Sequence, residues 1–219
     1  MVLKNFIAFE GIDGSGTTTQ LALLRARFPS VLLTAEPTSS ATGQFLRRML
    51  SGEVEVAKQT AAYLFAADRC EHLWGKVSYH EGRLVTGVAE VCADGKTVVS
   101  DRYIFSSLAY QGERATRELT ARLNETFPLP AVLVYFDISP ELALDRVASR
   151  GRKREIYETL STLNDVAHRY NELLVLYQDT AADHGMKVVK VNASLSPQEL
   201  SDELSALLAP FLPREAVQL

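Results

Sequence analysis

Short runs of apolar, β-branched and aromatic residues alternate along this chain with longer segments whose apolar positions recur at helical spacing. That alternation predicts a parallel sheet with helices on both faces, so the fold class is α/β. Strands are expected over residues 5–9, 31–34, 97–100, 131–136 and 187–191, each rich in residues that suit a pleated, buried surface. Helical periodicity covers 17–27, 42–50, 59–91, 106–124, 140–149, 155–184 and 197–208, the third stretch being long enough to carry an interruption. In open sheets of this kind ligands sit beyond the carboxyl ends of the strands. The segments after Phe9, Thr34, Ser100 and Phe136 are therefore expected to line a site.

The 219 residues are 47% hydrophobic and contain no Pro/Gly/Ser-rich linker, which predicts a single domain over 1–219 with one sizeable core. A net charge of −4 and a pI near 5.6 argue against broad binding to nucleic acid or an anionic membrane, both of which need a basic excess. Cys70 and Cys92 stand alone, without CxxC or Cys/His spacing, and read as core thiols. The N-terminus lacks the basic region and long apolar run of a signal peptide. No apolar stretch reaches membrane-spanning length, and a cytoplasmic protein without membrane partners is expected.

The first predicted strand runs directly into Gly11-Ile12-Asp13-Gly14-Ser15-Gly16-Thr17-Thr18, and a helix follows. Glycines let backbone N–H groups turn inward and the helix adds its positive N-terminal end, so this is the context in which a loop cradles a polyphosphate. Thr18 takes the Ser/Thr position whose hydroxyl ligates magnesium. Thr17 stands where the pattern G-x-x-x-x-G-K-[ST] has lysine. Loss of such a donor to transition-state charge costs about 3 kcal/mol, roughly a hundredfold in rate.

The block Phe9-Glu10-Gly11-Ile12-Asp13-Gly14-Ser15-Gly16-Thr17-Thr18-Thr19-Gln20, apart from Thr17, resembles the opening of bacterial thymidylate kinases. Further blocks agree in order: Glu36-Pro37, Phe65-Ala66-Ala67-Asp68-Arg69, Asp101-Arg102-Tyr103 and Ser106-Ser107-Leu108-Ala109-Tyr110-Gln111-Gly112. Arg150-Gly151-Arg152-Lys153-Arg154-Glu155 is similar to the family's lid, here about 150–157, and Asn192-Ala193-Ser194 to its adenine-side loop. The resemblance spans roughly residues 5–195. It implies a P-loop NTPase-type three-layer α/β/α kinase that phosphorylates dTMP to dTDP with ATP and magnesium, and a homodimer.

Several of these residues also read chemically. A carboxylate at a strand end beside the loop, Asp101, can hold magnesium, and the adjacent Arg102 can fork onto a phosphate. Phe65 and Arg69 are four apart on one helical face, so a ring can stack on a base while a guanidinium donates to its carbonyl. The resemblance adds Ser106, Ser107 and Gln111 near the nucleoside, Tyr110 against the sugar, and Asp13 near the 3′-hydroxyl and the metal. It places Glu36, Pro37 and Arg47 on the acceptor side, where Ala35 replaces the customary arginine. On the donor side it places Thr19, Ala193 and Arg150, with Arg152 or Arg154 at the transferring phosphoryl group. A lid cation, Arg152 or Lys153, is expected to replace the charge of the missing loop lysine. Two other readings stay open: an enzyme for another deoxynucleotide or nucleoside, and a nucleotide-binding protein without catalysis. His72, His80, His168 and His184 are isolated and read as packing or surface residues, and Asp137-Ile138-Ser139-Pro140 reads as a helix start capped by Ser139.

Overall fold

The computed structural model describes residues 1–79, 84–113, 116–149, 151 and 155–213. Strand β1, Val2–Gly11, leads into α1, Thr17–Arg27, then β2, Leu32–Ala35, α2, Ala41–Leu50, and α3, Lys58–Trp74. A short hairpin follows, β3 Lys76–Ser78 paired antiparallel with β4 Leu84–Thr86, and then α4, Val88–Ala93. The chain continues through β5, Val98–Asp101, α5, Ile104–Tyr110, α6, Arg117–Asn124, and β6, Leu129–Asp137. It closes with α7, Pro140–Ser149, α8, Leu160–Asp179, α9, Ala181–His184, β7, Lys187–Asn192, and α10, Pro197–Leu208.

The main sheet has five strands in the order β2-β5-β1-β6-β7, all parallel. This is the expected α/β class, flanked by helices, and it agrees with a P-loop NTPase-type kinase fold. The central strands β1 and β6 carry unbroken buried runs, Phe6 to Phe9 and Val132 to Phe136, as strands covered on both faces must. Helices 17–27, 140–149 and 197–208 fall where their periodicity put them. Each has a local signal: Gly16 before α1, Pro140 opening α7, and for α10 the reciprocal capping box of Ser196 and Glu199 with Pro197 at its start.

Three long helical stretches are broken. The expected helix over 59–91 stops at Gly75, which is extended, and the hairpin β3–β4 intervenes before α4. The apolar residues of that stretch serve hairpin and helix alike, so periodicity did not separate them. Residues 106–124 divide into α5 and α6, and 155–184 into α8 and α9 preceded by a loop.

Two buried carboxylates brace the loops after the sheet. Asp68 on α3 accepts from Thr38 N at 2.7 Å, Thr38 Oγ1 at 2.6 Å, Thr42 Oγ1 at 2.8 Å and Ser40 Oγ at 3.0 Å, and so holds the turn into α2. Glu10 braces the turn after β5 in the same manner. The first brace depends on close approach of backbone: a Cβ on Gly43 would lie 2.0 Å from the Thr38 carbonyl oxygen. Gly43→Ala is expected to destabilise the protein by about 1–3 kcal/mol through overpacking, read as a lower urea midpoint at unchanged slope. A midpoint equal to that of the parent would show that α2 gives way without cost.

Candidate functional site

The parallel register of β1 and β5, with Phe9 opposite Asp101, brings the glycine loop beside the Asp101-Arg102 turn. Gly14 and Gly16 have φ of 92° and 96°, and a Cβ on Gly14 would meet the Ala143 carbonyl oxygen at 2.2 Å. The loop thus rests directly on α7 and needs glycine there. Ile12 buries its side chain completely, so only its backbone serves the loop, and the Ser15 N–H closes the turn onto the Ile12 carbonyl at 3.0 Å. Helix α1 starts without a capping side chain or an acidic residue in its first turn, leaving its N–H groups and positive end for an anion. Thr17 is 5% exposed; Thr18 and Thr19 are exposed.

Thr18 Oγ1 donates to Asp101 Oδ2 at 2.7 Å. Asp101 Oδ1 is buried and has no hydrogen-bond partner among the described residues. A carboxylate oxygen in need of a partner, with a hydroxyl on the phosphate loop beside it, suits a hard divalent cation that takes its other ligands from water and phosphate. Among the described residues no cluster of three or more His, Cys, Asp or Glu could hold a metal by itself.

Arg102 adopts φ 75°, a conformation that costs a non-glycine residue about 1–3 kcal/mol. Its surroundings over-determine it. Its N–H donates to the Phe9 carbonyl at 2.9 Å, and its own carbonyl accepts from Ser100 Oγ at 2.7 Å. The next residues are held by Glu10: Oε1 accepts from Tyr103 N at 2.8 Å and Ser106 N at 3.1 Å, Oε2 from Ser106 Oγ at 2.6 Å and Tyr170 Oη at 2.8 Å. The turn then aims the Arg102 guanidinium at Asp13, with Nη2 to Oδ1 at 2.8 Å, and over the Tyr110 ring at 5.7 Å. Tyr110 Oη accepts from Asp13 N at 3.0 Å. Burial, then the nearby Asp13 carboxylate, pushes the Tyr110 phenol far above its ordinary value, so it is neutral at any physiological pH.

A cavity of about 760 Å³ opens between this turn and helices α2, α3 and α5. Of the residues expected on the acceptor side, Asp13, Glu36, Pro37, Arg47, Phe65 and Arg69 line it. Arg102, Ser106, Ser107, Tyr110 and Gln111 line it as well. Phe65 packs beside the small cluster of Leu46, Met49 and Ala61, and Gln111 is buried with Oε1 lacking a partner.

Arg69 differs from the simple base reader that its helical spacing suggested. It is 1% exposed and enclosed: Nε and Nη2 donate to Glu36 Oε2 at 3.0 and 2.6 Å, Nη2 also to Ser107 Oγ at 3.1 Å, and Nη1 to Asn124 Oδ1. Four of a guanidinium's five N–H groups are thereby used within the protein. Its plane lies over the rings of Tyr103 and Phe127. Glu36 Oε1 accepts from His72 Nδ1 at 2.8 Å, and His72 Nε2 lies 2.9 Å from Thr34 Oγ1. A carboxylate only accepts, so Nδ1 carries a proton and donates to Glu36. His72, read from sequence as a packing residue, is wholly buried and completes this chain of bonds. Ser106 also differs, because its hydroxyl turns to Glu10.

On the donor side, the Ala193 N–H donates to the Asp137 carbonyl at 2.8 Å and its own carbonyl accepts from Arg146 Nη1 at 2.9 Å. Arg146, one turn beyond Ala143 on α7, reaches Gly16 as well. The resemblance implies Arg150 there and not Arg146, whose spacing from the helix start is the available signal. Arg150, Arg152, Lys153 and Arg154 lie outside the described residues. Just beyond them, Ile156 N donates to the Leu50 carbonyl at 3.0 Å and the Tyr157 ring stands edge-on to Tyr110 at 5.4 Å, so this segment docks on α2 and borders the cavity. Glu10, His72, Arg146 and Tyr157 are not among the site residues expected from the sequence. Ser139 caps α7 as expected, accepting from Leu142 N at 3.3 Å, while Asp137 pairs with Lys190.

The profile of the thymidylate kinase family matches residues 9–203. A Treponema pallidum protein is 37% identical over 195 residues, covering 88% of each chain, and an Aeropyrum pernix protein is 40% identical over 190 residues, covering 84% of each. Both carry thymidylate kinase in their names. A thymidylate kinase of Leptospira interrogans is 35% identical over 177 residues, covering 77% of this chain and 81% of its own. The chain belongs to the thymidylate kinase family.

Burial pushes the Glu10 carboxyl above its ordinary value of 4.5, against the Arg102 charge and the bonds from Ser106 and Tyr170, which pull it down. The folded state therefore holds that proton more tightly than the unfolded chain. Stability should fall as pH rises from about 4.5 through the elevated folded value. Glu10→Gln lacks this titration, so the unfolding free energy of the parent minus that of the variant is expected to decrease over the same range. A difference that grows with pH would show that the four donors outweigh burial.

Proposed function

We propose that this chain transfers the γ-phosphoryl group of magnesium-bound ATP to the phosphate of dTMP, giving ADP and dTDP. One observation carries the reading. A single cavity joins a base-sized end, bounded by Phe65, Arg69 and Gln111, to a phosphate end bounded by Arg102 and Arg47, beside a loop built for a polyphosphate.

In this reading the backbone of residues 11–18 binds the donor phosphates, with Thr19 at the start of α1 and Ala193 and Arg146 toward its adenine. Thymine stacks on Phe65. Gln111 offers both an acceptor and a donor to the base edge, and Arg69 turns its remaining N–H to a carbonyl while Glu36, Ser107 and Asn124 hold it still. Tyr110 crowds the sugar, which favours a deoxyribose, and Asp13 faces it. Arg102 orients the acceptor phosphate. That phosphate is already ionised at neutral pH and is itself the nucleophile, so no strong base is required; catalysis consists of positioning, charge neutralisation and exclusion of water. Thr18 and Asp101 would hold the magnesium, which would supply charge neutralisation on the phosphates. The lid, about 150–157, closes over the donor and brings Arg152 and Arg154, with Arg150, toward it. We place the enzyme in the cytoplasm, since both substrates are charged nucleotides that membranes retain; no helix among the described residues is long and apolar enough to cross one. Thr17 supports a second reading, a nucleotide-binding protein without turnover.

The test offers ATP with dTMP, dUMP, dCMP or thymidine and follows ADP, with and without EDTA. Turnover with dTMP should exceed the others by at least about tenfold and vanish with EDTA. Binding of both ATP and dTMP without ADP formation would establish the second reading, and equal turnover with thymidine would remove the role of Arg102.

A homodimer completes the proposal. Tyr63, Ala67, Cys70 and Trp74 follow one another on the outer face of α3 at helical spacing; Cys70, expected as a core thiol, is exposed there, and Tyr63 and Trp74 are 56% and 57% exposed. That apolar stripe suits a second copy of the same helix. Light scattering should give twice the 24.2 kDa chain mass, falling to one chain for Tyr63→Glu with Ala67→Glu. An unchanged dimer in that variant would move the interface elsewhere.

A further inference from the structure

Where does the positive charge come from that residue 17 does not provide? A space of about 610 Å³ lies between the glycine loop and the acceptor cavity, bordered by Thr17, Thr18, Asp101, Ala35, Arg47 and Arg102. Among the described residues only two cations border it. Arg102 is committed, through its strained turn, to Asp13 at 2.8 Å and to Tyr110. Arg146 reaches Gly16 but does not border this space, and its Nη1 is used on Ala193.

Arg47 stands differently. It is exposed on α2, borders both the acceptor cavity and the loop-side space, and makes its one hydrogen bond to a neutral acceptor, the Pro37 carbonyl. It has no carboxylate partner among the described residues. Ala35 presents only a methyl group across the space and adds no competing charge. The position of Arg47 is fixed by a rigid element: Ser40 caps α2, Asp68 holds the Ser40 turn, and Leu46 and Met49 anchor the helix in the core.

From this geometry we infer that Arg47, rather than the lid cation expected from the sequence, is a catalytic residue that binds the phosphoryl group in flight and takes the part normally played by the loop lysine. The inference rests on the kinase reading above. As the acceptor oxygen forms its bond to the γ-phosphorus, the bond from that phosphorus to the β–γ bridging oxygen breaks, and ADP leaves with that electron pair. Arg47 transfers no proton; it donates N–H bonds to equatorial oxygens whose charge is shared between the two nucleotides. A guanidinium on α2 is then the functional counterpart of an ammonium on α1, arriving from the acceptor side of the same phosphoryl group.

The experiment is a double-mutant cycle of Arg47→Ala and Thr17→Lys, with kcat and KM for dTMP and ATP measured at saturating partner substrate, and dTMP affinity measured by calorimetry without magnesium. Arg47→Ala should lower kcat about a hundredfold while weakening dTMP binding less than tenfold. Thr17→Lys should restore kcat in the double variant to within about tenfold of the parent, without restoring dTMP affinity. Arg47→Gln, which keeps the stem on α2, should fall with Arg47→Ala, and unchanged melting temperatures in both would exclude misfolding. An increase in KM alone, or losses in the double variant equal to the product of the single ones, would overturn the role and leave Arg47 as a binder of acceptor phosphate. Absence of turnover in the parent protein would instead overturn the kinase reading itself.

Discussion

Glu10 buries a carboxylate at the carboxyl end of the central strand, where it can be kept only if donors surround it. Four do, and all come from segments far away in sequence: Tyr103 N, Ser106 N, Ser106 Oγ and Tyr170 Oη. Satisfying this one buried group ties β1, the turn after β5, helix α5 and helix α8 together at the carboxyl end of the sheet. The strained Arg102 backbone, the aim of its guanidinium at Asp13 and the meeting of glycine loop with acceptor cavity all follow from that junction. A charge that would be a liability in an apolar core becomes the means of fixing the site.

A second buried carboxylate repeats the device on the acceptor side. Glu36 accepts from both Arg69 and His72, and the pair is closed by Thr34, Ser107 and Asn124. A guanidinium on a long side chain carries about 2 kcal/mol of rotamer entropy when free. With four of its N–H groups held, Arg69 has already lost most of that freedom before a ligand arrives, so the remaining N–H is presented in one direction. In the role proposed for Arg69, selectivity for a base edge would belong to the network, and removing a distant member such as His72 would loosen it without touching the ligand.

Charge around the phosphate loop is arranged by division. Arg102 answers Asp13, Arg69 answers Glu36, and Asp101 keeps one oxygen without a partner beside Thr18. Arg47 is left facing the space in which a phosphoryl group would pass. In the role proposed for Arg47, a rigid helix would deliver from the other side the cation that residue 17 lacks.

The class of fold, the five strands, the glycine loop and the order of the motifs were determined by the sequence itself, because each depends on periodicity or on residues adjacent in the chain. Helices with local stop and start signals, such as 17–27, 140–149 and 197–208, were legible to their ends; the hairpin inside 59–91 was not, since its apolar residues fit either period. Asp101, Arg102, Phe65 and Gln111 could be nominated from their spacing and their resemblance to a known family. Only the tertiary structure decided how they are held. Glu10 finds Tyr170 across 160 positions, Glu36 finds Arg69 and His72 across 33 and 36, and Asp68 finds Thr38 across 30. Such pairings leave no periodic trace, because a buried polar group selects its partners by geometry after the chain has folded and not by distance along it.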